Sequence, residues 1–152
     1  MAINDVGLFD QYIVDLHTAK HNWSSDTFKF ALITNAVTPA TTTADPRWGS
    51  GGSTNFDTNE VTAGGNYTAE GITLTSVSAT LSGGKAVIDC ADFTIAQNAS
   101  NPTNARWGII YNSTDAGKRA VAWVDLGSVL DLTTGDLVVT INAGGIYEGN
   151  QA

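Results

Sequence analysis

His17 and His21 stand four residues apart, a spacing that would put both imidazoles on one helix face, where zinc binds such pairs. The residues between them are Thr18, Ala19 and Lys20, so the catalytic glutamate of a metalloprotease helix is missing. The plainer reading is that His17, Lys20 and His21 end a helix, where positive charge suits the negative end of the dipole. Asp89 and Asp92 flank the end of an apolar run and could hold a hard cation together with nearby carbonyls; solvated carboxylates are the commoner arrangement. Cys90 lies between them and is the single cysteine, so an internal disulfide is impossible. It has no basic neighbourhood to favour the thiolate and reads as a buried structural thiol. No nucleophile elbow is present, and Gly49 to Gly52 precedes no P-loop Lys-Ser/Thr pair. No acid/base pair stands at a recognisable spacing. A non-enzymatic role is therefore expected, with no catalytic residue, cofactor or metal assigned.

Trp23, Trp48, Trp107 and Trp123 could stack on sugar rings. Trp107 and Trp123 lie mid-strand and read as core, which leaves Trp48 as the one in a loop suited to binding. Residues 36–71 form that loop region. They show little periodicity and are rich in Thr, Gly, Ser and Asn, as in Thr41-Thr42-Thr43, Gly49-Ser50-Gly51-Gly52-Ser53 and Gly64-Gly65-Asn66. Loops this long in a compact domain are functional or ordered by a partner. Trp48, Phe56 and Tyr67 sit within it, and aromatics there either plug the end of a sandwich or anchor an interface. Contact with another subunit is the favoured reading, with Arg47 as a further anchor type. Ahead of the loop, Leu8, Phe9, Tyr12, Ile13 and Leu16 recur at helical spacing after a capping Asn4-Asp5. A helix over Asp5 to His17 follows, either packed on a sheet edge or docked on a neighbour. The candidate subunit interface is Leu8, Tyr12, Arg47, Trp48, Phe56 and Tyr67.

The elements that must position these residues are strands. Asp26 to Asn35 alternates Phe28, Phe30 and Leu32 against Lys29, Ala31 and Ile33. Ile72 to Leu81 is a Thr/Ser/Val run closed by Ser82-Gly83-Gly84, a hairpin-type turn. Lys85 to Cys90, Phe93 to Ala96, Arg106 to Tyr111, Arg119 to Leu126 and Asp136 to Asn142 continue the pattern. In the fourth of these Val121 and Trp123 face away from Ala122, Val124 and Leu126, and Trp107, Ile109 and Tyr111 share a face of the third. About eight strands without intervening helices predict an all-β chain, an antiparallel β-sandwich of jelly-roll or related Greek-key type. One short N-terminal helix precedes it, in an arm over residues 1–25. No repeat or linker divides the 152 residues, so a single domain is expected, long enough to bury roughly 70% of its unfolded surface.

Composition narrows the partners. Charged residues make up 14% of the chain, against a usual ~25%; interface cores are depleted in charge in the same way. The net charge is -8 with seven scattered Lys and Arg, whereas binding to nucleic acid needs clustered cations on phosphates. Neither nucleic acid nor membrane is an expected partner: no apolar run reaches the ~18 residues of a span. No charged n-region precedes an apolar h-region, so no signal peptide is read. The chain is expected to stay and assemble in a reducing cytoplasm, where the sequons at Asn22, Asn66, Asn98 and Asn112 carry little meaning.

The order of these segments resembles a group of small virion structural proteins of tailed bacteriophages, of the head decoration or cement type. The resemblance is carried by DTFKFAL and TNAVTP, then YTAEG from Tyr67 to Gly71, and GGKAVIDCADFTI from Gly83 to Ile95. ARWGIIYN from Ala105 to Asn112, AVAWVDLGS from Ala120 to Ser128, and a closing INAGGI from Ile141 to Ile146 complete it. The resemblance implies a structural protein near the head, with no catalytic site. It implies a capsid decoration protein, made in the host bacterial cytoplasm, that binds the outer surface of the assembled head. Its partners would be the major capsid protein and itself, as a dimer or trimer. The alternative is a tail, collar or fibre-associated component that binds a receptor or carbohydrate. Residues 40–62 depart from the group's pattern and could clamp neighbouring capsid subunits.

Overall fold

The computed structural model describes residues 5–150. In chain order it contains β1 (Asp5–Leu8), α1 (Asp10–His17), β2 (Phe28–Ile33), β3 (Pro46–Arg47), β4 (Thr54–Asn55), a 3-10 turn (Phe56–Asn59), β5 (Ile72–Thr73) and β6 (Ser78–Ser82). Then follow β7 (Lys85–Asp89), β8 (Phe93–Ile95), β9 (Ala105–Asn112), β10 (Ala120–Leu130), β11 (Leu137–Val139) and β12 (Tyr147–Asn150). Strands occupy 40% of the chain and helix 8%, so the protein is all-β with several antiparallel sheets. Among the described residues no helix is long and apolar enough to cross a membrane.

The main sheet has the order β1-β10-β9-β2-β5. Its centre is β2 against β9, paired from Phe28↔Asn112 to Ile33↔Trp107. Strand β2 is apolar on both faces, as a strand covered on both sides must be. Phe28, Phe30 and Leu32 enter one core cluster, with Ile110, Val124, Ile88, Ile95 and Leu137. This cluster lies between the main sheet and the smaller sheets β12-β7-β6 and β11-β8; Phe30 meets Phe93 with ring centroids 5.0 Å apart. Ala31 and Ile33 enter a second cluster with Trp48, Phe56, Trp107, Ile109 and Tyr111. Gly108 lets the Phe30 ring approach β9, since a Cβ there would collide with it.

Three expectations need correction. Residues 5–8 are not the first turn of a helix. They form the edge strand β1, paired with β10 from Asp5↔Asp125 to Leu8↔Ala122. The helix starts at Asp10 behind Phe9, whose side chain makes no cap bond; the expected Asn4 cap lies outside the described residues. The run Ile72 to Leu81 is two strands, because Leu74 turns inward and Ser76 takes φ 52. In β10 the register shifts between Ala120 and Ala122. This irregularity sends both Val121 and Ala122 to the first cluster, so Val121 does not share a face with Trp123. The Ser82-Gly83-Gly84 turn is as expected: Ser82 pairs with Lys85, and both glycines have positive φ (56 and 80), the requirement of a two-residue type I′ hairpin.

Candidate functional site

Four of the six interface candidates turn inward. Trp48, Phe56 and Tyr67 are at most 1% exposed, and Tyr12 is fully buried. Leu8 is half-buried against the first core cluster, in β1 rather than on a helix. Arg47 is half-buried and donates two hydrogen bonds of 3.1 Å to Asp45. The expectation that Tyr12, Trp48, Phe56 and Tyr67 anchor a partner is therefore corrected: the chain buries them in its own core. For Trp48 and Phe56 the physical reason is the second apolar face of the main sheet, which Ala31, Ile33, Trp107, Ile109 and Tyr111 would otherwise expose; Tyr12 and Tyr67 fill the first cluster instead. The loop region lies over that face and supplies the cover.

Backbone pairing, ring packing and a buried hydroxyl tie the loop region to the sheet. β3 and β4 pair in parallel, and Trp48 N–H donates to Lys118 O at 2.8 Å. The Trp48 ring stacks on Tyr111, with centroids 5.1 Å apart and planes 13° from parallel. Phe56 meets Phe9 at 5.7 Å. Val61 N–H donates to Leu32 O and Thr34 N–H to Asn59 O, which stitches the loop to the end of β2. Tyr67 makes the deepest tie. Its hydroxyl accepts from Leu32 N–H at 2.9 Å and donates to the Glu60 carboxylate at 2.9 Å. That carboxylate also accepts from Glu70 N–H at 2.7 Å. Burial raises the pKa of both Tyr67 and Glu60. Glu70 sits between Lys118 at 2.5 Å and Lys29 at 3.6 Å, and the Lys118 bond lowers its pKa.

A second polar assembly was invisible in the sequence. Asn112, fully buried, places its amide nitrogen 2.7 Å from the Asp26 carboxylate, 3.2 Å from Lys20 O and 3.3 Å from His21 Nδ1. Arg119 lies between Asp115, at 2.8 Å, and buried Asp15, at 3.6 Å. The cluster joins residues 20–26, the end of β9 and the 113–119 loop. His17 and His21 are thus not a pair on one helix face: α1 stops at His17, which is exposed, and His21 is buried beyond it. Burial holds the His21 pKa below its ordinary 6.5, against the raising effect of Asp15, Asp115 and Asp26. Tyr12, 5.3 Å from the His21 ring, accepts a hydrogen bond from Trp23 Nε1 at 3.0 Å, and burial is the main cause that pushes its pKa up to about 12.

The other chemical candidates are also absorbed into the fold. Cys90 is buried and its thiol is pushed up to about 11, chiefly by burial, so it is protonated at neutral pH. Asp89 accepts Cys90 N–H at 2.8 Å and Asp92 accepts Ile141 N–H at 2.8 Å; each carboxylate fixes a strand end. Among the described residues no group of three or more His, Cys, Asp and Glu is arranged to hold a metal. A cleft of about 340 Å³ opens beside β1, lined by Val6, Phe30, Ile110, Val124, Val139 and Ile141 among others, with no titratable side chain. The exposed large apolar residues are different from those expected: Leu81 (81%), Val14 (54%), Val6 and Val129 (both 49%), Ile13 (46%) and Val138 (37%). Leu81 had a sequence signal, since it is the one large apolar residue between Ala79-Thr80 and Ser82-Gly83-Gly84.

No protein-family model, curated protein or solved structure matches the chain.

Proposed function

We propose that this chain is a bacteriophage capsid decoration protein. It binds the outer surface of the assembled head and ties major capsid subunits together, as a homo-oligomer and without catalysis. In this reading the antiparallel sheets form a β-sandwich of jelly-roll or related Greek-key type. The observation that carries it is the order of the family-like segments along the chain. DTFKFAL coincides with β2, GGKAVIDCADFTI with β7 and β8, ARWGIIYN with β9 and AVAWVDLGS with β10. Four of the segments thus lie in strands, while TNAVTP, YTAEG and INAGGI lie in the turns and loops between them.

The physical role follows from mass action. Packaged DNA pulls capsid subunits apart, and a clip that binds the closed lattice but not free subunits stabilises the closed state. The net charge of -8 suits the outside of the particle, away from the genome. Because Trp48, Phe56 and Tyr67 are committed internally, the head contact falls to the exposed apolar residues and to the uncharged Thr/Gly/Ser surface of the loop region. The test is to add purified protein to heads assembled without it. Saturable binding that raises the temperature at which the heads burst supports the proposal. Binding to isolated tails and not to heads would replace it with the tail-component reading.

A further inference from the structure

Strand β6 (Ser78–Ser82) is the outer strand of the sheet β12-β7-β6, and Ala79, Thr80, Leu81 and Ser82 are all exposed. A strand with so little to bury is weakly held, since small sheets depend on a covered apolar face. Its hydrogen-bond parity is fixed by the turn. In a two-residue hairpin the flanking pair, Ser82↔Lys85, exchanges both backbone bonds. Alternation then assigns Thr80 and Ser78 to bonds with β7, and turns the N–H and C=O of Ala79 and Leu81 outward. Among the described residues no hydrogen bond outside the ladder engages either residue. The edge lacks the usual protections against strand addition: residues 71–84 hold no charge and no proline, and the β6–β7 register runs without a shift.

We propose that β6 is a self-pairing edge. Two copies of the chain join their β6 strands antiparallel about a two-fold axis at Thr80, giving one sheet with three strands from each copy. A second copy fits for two reasons on the molecule itself. First, pairing about Thr80 matches Ala79 with Leu81 of the other copy. The outward backbone groups of each then meet those of the other, and all five residues are used. Second, a chain of net charge -8 repels its own copy least where the edge is uncharged. The nearest charge past the turn, Lys85, is already paired with Glu148 at 3.0 Å. Leu81 on each copy packs across the new seam. The contact is small, so it is weak in dilute solution and strengthens where a lattice concentrates the copies. This deepens the decoration reading and rests on it for its role, since that reading includes a homo-oligomer.

The test is site-directed crosslinking of the full chain without heads. In this register Thr80 faces Thr80 of the other copy as a non-hydrogen-bonded pair, with Cα atoms ~4.5 Å apart, inside the ~4.4–6.8 Å that a disulfide spans. Thr80→Cys should form a disulfide dimer under mild oxidation, faster than Ser82→Cys, whose two copies lie ~13 Å apart in this register. Ala79→Pro removes an outward N–H only, as edge strands tolerate. Placed in the Thr80→Cys background, it should abolish the crosslink and leave the melting temperature unchanged. Equal crosslinking of Thr80→Cys and Ser82→Cys, or a Thr80→Cys crosslink that survives Ala79→Pro, overturns the proposal. So does the absence of any crosslink from ~1 µM to ~1 mM, the range of weak self-association. Head binding by the Ala79→Pro chain is measured separately, so loss of self-pairing is distinguished from failure of the decoration role.

Discussion

Replacing Trp48 by alanine should damage the fold more than replacing Trp123. The side chain is 1% exposed and stacks on Tyr111 at 5.1 Å, over the apolar face of the main sheet. Truncating a buried tryptophan costs ~3–5 kcal/mol, and domains of this kind hold only ~5–15 kcal/mol in total. At ~2–4 °C per kcal/mol for a chain of this size, the melting temperature should fall by ~6–20 °C. Trp123 is only half-buried, meeting Trp107 edge-on at 5.9 Å. Trp123→Ala should cost less, because part of that side chain stays in contact with water in the folded chain. Thermal melts of the two variants, followed by circular dichroism, compare them directly. If Trp123→Ala melts at or below the temperature of Trp48→Ala, the loop does not seal the second core and the packing account is wrong.

Tyr67→Phe removes the acceptor of Leu32 N–H and the donor to Glu60, leaving buried groups unpaired. It should cost ~1–3 kcal/mol, seen as a lower urea midpoint with unchanged slope. Gly108→Ala should cost ~1–3 kcal/mol by overpacking, because its Cβ meets the Phe30 ring; a wild-type melt would refute that clash. Acid stability should depend on His21. Its folded pKa lies below 6.5, so as pH falls the unfolded chain takes up this proton first. The contribution is therefore complete above about pH 6.5 and is lost as pH falls through the folded value. His21→Gln should flatten the fall in melting temperature between about pH 7 and pH 5; an unchanged slope would assign the acid sensitivity to the carboxylates instead.

The strands were legible where period two was clear and the turn chemistry strict. Phe28, Phe30 and Leu32 marked the central strand, and Gly83-Gly84 marked the hairpin. The N-terminus misled because Val6 and Leu8 fit a strand period while Leu8, Phe9, Tyr12 and Leu16 fit a helical one. Pairing with β10 decides between them, and that partner is more than a hundred residues away. The loop aromatics misled for a different reason. Their polar neighbours suggested a surface, yet Ala31 and Ile33 beside Phe30 and Leu32 already signalled a sheet that needs cover on both faces. That signal, read together with the aromatics, would have turned Trp48, Phe56 and Tyr67 inward. The polar cluster around Asn112 left no trace in sequence, since its nearest side-chain partners, Asp26 and His21, are 86 and 91 positions away.

If this chain decorates the head, its copy number in the purified virion is set by the capsid lattice. Quantitative mass spectrometry of intact particles, scaled to the major capsid protein, gives that number. Decoration predicts hundreds of copies in fixed ratio to capsid subunits, because every repeat of a closed symmetric lattice offers the same site. A count of about a dozen or fewer, the size of a single ring on a tail or collar, would contradict the account.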